Sequence, residues 1–199
     1  MQIYLTSQNE ILRKHLDFLK TLPLTQYNAS GLTEKTTSIV IDTPMPLTQI
    51  NTDFLFAYKI FPTNAMTHMT EWALERRIMR VGDTIVQQVY LPPKQSISLK
   101  IIGGVRVKEI INQKSRLGFS YETIEGHIEK GRATFILEQT NDNKIYFRVH
   151  TVSKPANVLA RLVGPVFSVP YQTYLTRLGL NNVKRQLESQ NVAPKATTK

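Results

Sequence analysis

The stretch from Arg116 to Phe135, RLGFSYETIEGHIEKGRATF, concentrates side chains that can do chemistry. Glu125, His127 and Glu129 recur at period two, so in an extended conformation they project to one side. An imidazole between two carboxylates can bind a metal, or act as an acid or base whose pKa its neighbours tune. Two carboxylates and one imidazole leave a metal set incomplete unless His68 or His150 joins it, so no metal and no cofactor is expected. The competing reading is a turn, in which Gly126 and Gly131 mark a connection between strands, the glutamates are solvated and His127 hydrogen-bonds loop backbone. A short connection rarely holds a rigid extended run, which favours the turn and leaves His127, with Glu122, as weak catalytic candidates.

The neighbouring residues suit binding better than catalysis. Phe119, Tyr121 and Thr123 share a strand face, and their hydroxyls can orient a ligand in a mostly apolar pocket. Arg116 can grip a carboxylate or phosphate bidentately, or lie exposed on its strand. Trp72 with Met66, Met69 and Met79 forms an adaptable apolar set, equally explained by core packing. Arg76, Arg77 and Arg80 can meet an anionic head group or form a solvated helix face. Familiar enzyme templates are missing: there is no cysteine nucleophile, GxSxG elbow, GxxxxGK[ST] loop or HExxH helix.

The elements that must position these residues follow from hydrophobic period. SQNEILRKHLDFLKTLP carries Ile11, Leu12, His15, Leu16, Phe18 and Leu19 at helical spacing, with Pro23 beyond its end. TTSIVIDTPMP predicts one brief strand. FLFAYKIF alternates and is aromatic, and NAMTHMTEWALERRIM places Met66, Met69, Trp72 and Ala73 on one helical side. TIVQQVYL and LKIIGGVRVKEII read as strands separated by Pro92 and Pro93, with a bulge or bend expected at Gly103 and Gly104. A turn at 112–114, the alternation of Ala133, Phe135 and Leu137, turn chemistry at Asn141, Asp142 and Asn143, and the return of Ile145, Phe147 and Val149 complete an antiparallel meander. Ser153 and Pro155 signal a helix start, with Val158, Leu159, Leu162, Val163, Val166 and Phe167 as its apolar face and Pro165 and Pro170 as kinks.

Composition bounds the partners. A chain of 199 residues has the length of one domain. The lack of cysteine removes disulfide and thiolate chemistry and fits a reducing cytoplasm, the expected location. MQIYLTSQNE has neither a basic leader nor an apolar core, so it does not read as a secretory signal. The longest suggestive uncharged run, 162–176, covers 15 residues and holds two prolines, too short and broken for a transmembrane segment. The net charge of +10 attracts anions of any kind. Nucleic acid is not an expected partner, because no binding motif accompanies the excess and no block of five or six like charges occurs. Oligomeric state is not encoded in any pattern found.

With these elements placed, GFSYETIEGHIEKGRATFILE and the following IYFRVHTVSKPANVLARLVGPV resemble the GFxYGTLxGHxExGExxF and S+PA pattern of the DUF1990 proteins. The resemblance rests on Gly118, Phe119, Tyr121, Thr123, Gly126, His127, Glu129, Gly131 and Phe135, then Phe147, Ser153, Pro155 and Ala156. It covers residues 99–178 well and the N-terminal part in outline, through Tyr27, Asn28, Trp72, Met79, Val81 and Gly82. Glu122 stands where that pattern has glycine, and Arg132 with Ala133 replaces residues that are commonly acidic, so Glu122 brings a new charge to the sheet edge or the interior.

The resemblance implies an α+β fold of the START-like, helix-grip kind, a curved antiparallel sheet gripping a long C-terminal helix around an apolar cavity. One domain over 1–180 and a basic, flexible tail over 181–199 are expected. The leading expectation is an uncharacterised protein that binds a hydrophobic or amphipathic small molecule in the cavity, with the basic surface favouring an anionic head group. Phe119, Tyr121, Thr123, Trp72, Met69 and Arg116 are its candidate ligand contacts. Two alternatives stand beside it: an enzyme of the same fold using His127 or Glu122 in acid–base chemistry, and a module whose basic face, including Arg106 and Lys108, docks an acidic partner.

Overall fold

A computed structural model describes residues 2–28, 30–92, 98–156 and 169–192. The strands are β1 (Gln2–Tyr4), β2 (Thr33–Ile41), β3 (Met66–Thr70), β4 (Thr84–Leu91), β5 (Leu99–Gln113), β6 (Arg116–Thr123), β7 (Glu129–Gln139) and β8 (Ile145–Pro155). The α-helices are α1 (Leu12–Thr21), α2 (Asp53–Phe56), α3 (Glu71–Leu74) and α4 (Val169–Glu188). All strand pairs are antiparallel, in the order β2-β8-β7-β6-β5-β4-β3, with β1 alongside the part of β5 that β6 does not reach. The sheet is open, with β2 and β3 at its edges. The expected α+β architecture, an antiparallel sheet with a long C-terminal helix packed on it, is therefore the one observed.

Alternation decides which side chains meet the helix. Ile85, Val105, Phe119, Phe135, Leu137 and Phe147 lie on the inner face and pack with Leu180, Val183 and Leu187 of α4. Burying each such side chain contributes about 1.5–3 kcal/mol. On the opposite face, Val86 and Ile102 are covered by Leu12, Leu16 and Leu19 of α1.

Several sequence expectations change. The helical side expected for Met66, Met69, Trp72 and Ala73 is divided, because Met66–Thr70 pairs with β4 as a strand and only Glu71–Leu74 turns into helix. Thr70 marks the change by accepting a hydrogen bond from the Ala73 backbone at 3.3 Å. The segment at Asp53 is a short helix rather than an extended aromatic run. No bulge occurs at Gly103 and Gly104, which pair regularly with Gln87 and Val86; the register shifts between Val107 and Glu109 instead. A Cβ on Gly103 would lie 2.7 Å from His127, and one on Gly104 would lie 2.7 Å from Leu19. The two glycines thus admit close neighbours on opposite faces of one strand.

Ser153 and Pro155 do not start a helix. They end β8, where Ser153 pairs with both Thr33 and Gly131 and Pro155 with Glu129, so two flanking strands overrule the local signal. The helical face expected at Val158, Leu159, Leu162, Val163, Val166 and Phe167, and the kink at Pro165, lie outside the described residues. Pro170 falls in the first turn of α4. That helix passes residue 181 without a break and buries Val183 and Leu187, so the chain does not leave the domain where the tail was expected.

Arg106 does not present its charge to a partner. Its guanidinium donates to the carbonyls of Leu19, Lys20 and Leu22 at 3.1–3.3 Å and so closes the C-terminus of α1, where the helix dipole favours a cation.

Candidate functional site

Because the inner-face strands turn their large residues toward α4 at one end and smaller ones at the other, a cavity of about 270 Å³ remains between the sheet and the first turns of the helix. Its apolar wall includes Ile60, Phe61, Met66, Val89, Phe135 and Leu175. Phe135 lies against Phe119 in a stacked pair with ring centroids 5.4 Å apart, so Phe119 supports the wall from behind. Tyr171 at the helix start lines the opening and donates to the Tyr90 carbonyl, tying α4 to β4.

A small polar group faces this space. Gln87 on β4 and Tyr121 on β6 line it, and the Gln87 amide donates to the buried hydroxyl of Tyr58. Burial raises the pKa of both tyrosines, so both carry their protons at neutral pH. His68 packs edge-on against Tyr58 with centroids 5.1 Å apart, and burial lowers its pKa.

The segment Glu125–Glu129 is a turn, with Gly126 at φ 84° and the His127 amide donating to the Ile124 carbonyl. That places Glu125 outside and swings His127 into the cavity. Nδ1 of His127 meets the Glu129 backbone, 3.1 Å from its nitrogen and 3.2 Å from its oxygen. Either tautomer leaves Nε2 beside Gly103, without a hydrogen-bond partner among the described residues. Burial pushes the imidazole down to about 4, although the Glu129 backbone opposes the shift, so the ring is neutral at pH 7. The Thr123 hydroxyl lines the cavity and accepts from the Gly131 amide at 3.1 Å, closing the loop on itself. Among the described residues no group of three or more His, Asp or Glu side chains is placed to hold a metal ion.

A family model described as a domain of unknown function, DUF1990, matches residues 46–181. The chain belongs to the DUF1990 family. This DUF1990 protein is 31% identical over 61 residues to the UPF0548 protein of Deinococcus radiodurans, an aligned stretch that is 31% of either chain. The DUF1990 fold is similar to that of a hypothetical protein from Helicobacter pylori, with a TM-score of 0.51 at 10% identity, over 85% of this chain and 99% of that one. Neither relative's name states an activity.

In this DUF1990 chain Tyr121, Thr123 and His127 come together at the cavity, whereas the other candidates lie elsewhere. Glu122 points to the opposite face, because it alternates with Tyr121 and Thr123 along β6. There it accepts from Arg132 at 2.8 Å, lies 3.7 Å from Lys108 and stands across from Arg106, so a row of alternating charge runs across the strands. Arg132 thus compensates the charge of Glu122. Arg116 sits at the far end of β6, paired with Glu138 at 3.5 Å. Trp72 is buried in the main core, and Met69 packs against the α1 cluster. Arg77 of the arginine triplet is clamped by Asp83 at 2.7 Å through both terminal nitrogens.

Sequence reasoning missed Gln87 and Tyr58. Gln87 had a visible signal, an amide interrupting the apolar run TIVQQVYL. Tyr58 had none, since its place depends on a positive φ of 58° that folds the segment after α2 back onto the sheet.

Proposed function

We propose that this protein binds a hydrophobic or amphipathic small molecule in the cavity between its sheet and α4, in a START-like mode. The observation that carries this reading is a space of about 270 Å³ with an apolar wall and a few convergent polar groups. Protein interiors seldom leave a void of this size unfilled, and small-molecule sites combine such walls with a handful of orienting groups. A cytoplasmic location belongs to the same proposal and rests on the cysteine-free sequence. Among the described residues no helix is long and apolar enough to cross a membrane.

Native mass spectrometry of freshly purified protein, followed by solvent extraction, tests the proposal. A bound species is expected in the wild type. Ala133 lines the cavity, so Ala133→Phe is expected to cut occupancy at least about tenfold, a loss of about 1.4 kcal/mol or more, with the circular dichroism unchanged. Ligand-free wild type, or full occupancy in a folded Ala133→Phe variant, argues against the site.

Acid–base catalysis in the same cavity is a second reading, favoured by one observation: the neutral His127 with Nε2 at the cavity wall. Glu122 contributes nothing to it from the opposite face. Catalysis predicts that the molecule extracted from His127→Asn differs chemically from the one extracted from the wild type, as substrate differs from product. Recovery of one identical species from both removes this reading and leaves binding intact.

A further inference from the structure

We propose that the loop between α3 and β4 docks this protein on a membrane surface rich in anionic lipid, with Leu74, Ile78 and Val81 entering the headgroup layer and Arg76 and Arg80 meeting the anionic headgroups. This surface is separate from the cavity, whose lining includes none of these residues.

Apolar side chains exposed singly are ordinary, but here three fall within eight residues: Leu74 is 42% exposed, Ile78 79% and Val81 61%. The loop that carries them is fixed. Trp72 and Met79 anchor it in the main core, and Arg76, at φ 52°, reverses the chain after α3. Arg77 ties the loop together: its terminal nitrogens clamp Asp83 at 2.7 Å, its Nε donates to Glu75 at 2.6 Å, and it donates to the Ile78 carbonyl at 3.0 Å. The Arg80 amide donates to the same Asp83 carboxylate at 2.7 Å, and the Gly82 amide to the Val107 carbonyl of β5 at 2.9 Å. Ile78 and Val81 are therefore held at the surface in advance, without the ordering cost that a loose segment meets on binding.

Charge selects the occupant. Asp83 and Glu75 are both taken up by Arg77, and Glu71 at the start of α3 pairs with Lys20 of α1 at 2.6 Å. Arg76 and Arg80 remain, both exposed and without an acidic partner among the described residues, on a chain of net charge +10. Apolar side chains flanked by unpaired arginines match an anionic bilayer surface, where the acyl boundary accepts the first and the headgroups attract the second. A protein interface of standard size draws on about 20–30 residues a side, far more than this loop offers.

Flotation of the full chain with phosphatidylcholine vesicles, with and without added phosphatidylserine, tests this. The wild type is expected to partition at least about tenfold more strongly onto the phosphatidylserine vesicles and to be released as salt is raised. Ile78→Glu should weaken that binding at least about tenfold and Arg80→Gln about fivefold, with circular dichroism unchanged because both side chains lie outside the core. In Ile78→Trp the new indole should shift to shorter emission wavelength on these vesicles, over a constant background from the buried Trp72, which reports entry of this loop rather than adsorption elsewhere. Wild type that binds neither vesicle overturns the proposal, and binding to polyglutamate but not to vesicles makes the loop a protein contact instead. Full vesicle binding by folded Ile78→Glu, or an unshifted indole in bound Ile78→Trp, means attachment through another face and equally overturns it.

Discussion

Gly118→Ala is expected to destabilise the protein by about 3 kcal/mol or more, the upper part of the range for overpacking a closed site. The position lies mid-sheet, where Gly118 pairs with Ile111 on one side and Ile136 on the other. An added Cβ would stand 2.0 Å from the Phe135 carbonyl oxygen and 3.0 Å from the Ile136 Cα, both backbone atoms held by strand pairing. No rotamer change relieves such a contact, so β6 and β7 must separate. The stacked Phe119 and Phe135 rings would separate with them, opening the cavity wall. Gly131→Ala meets the same obstacle, with the Val152 carbonyl at 2.1 Å. Gly31→Ala is the control: nothing lies within 4 Å, and only the positive φ of 73° opposes the side chain, at about 1 kcal/mol. Urea unfolding of the three variants measures the contrast, and a cost below 1 kcal/mol at Gly118 would show that these strands part easily.

Mild acid is the second large perturbation. Unfolded histidine takes up a proton near 6.5, whereas His127 in the folded protein does so only near 4. Between these values the unfolded chain binds more protons than the native one, so stability falls as pH drops from 6.5 to 4 and is unaffected by this group above 6.5. The gap of about 2.5 pH units corresponds to about 3 kcal/mol, which solvent access to the half-buried ring reduces to about 2. His15 and His68, both lowered by burial, add in the same direction. Urea midpoints at pH 7.5 and 4.5 should show a large loss in the wild type and a smaller one in His127→Asn. Equal losses in the two proteins would mean that His127 is charged without penalty and stands outside the cavity.

Much of the sheet was legible from residues alone. Alternation through Phe119, Tyr121 and Thr123, through Ala133, Phe135 and Leu137, and through Ile145, Phe147 and Val149 is a local property, because successive side chains of a strand must face opposite ways. Residue types alone leave Glu122 between the sheet edge and the interior, and the register of β6 puts it on the face opposite Tyr121. His127 was read correctly as a turn residue bonded to loop backbone, and the turn proved to be what brings it to the cavity. Met66–Thr70 and Ser153–Pro155 were misread because their short local signals compete with strand pairing to β4 and to β2 and β7, and pairing partners distant in the chain do not show in a local window.

By itself, then, the amino-acid order determined the strands of the meander, the amphipathic first helix, the family motif and the absence of thiol chemistry, all set by short-range period and composition. Tertiary structure alone decided that Gly103 makes room for His127, that Arg132 pairs with Glu122, and that the Gln87 amide meets the Tyr58 hydroxyl beside the Tyr121 ring. These residues come from strands and turns far apart in the chain, and only the register of the folded sheet sets the distances between them.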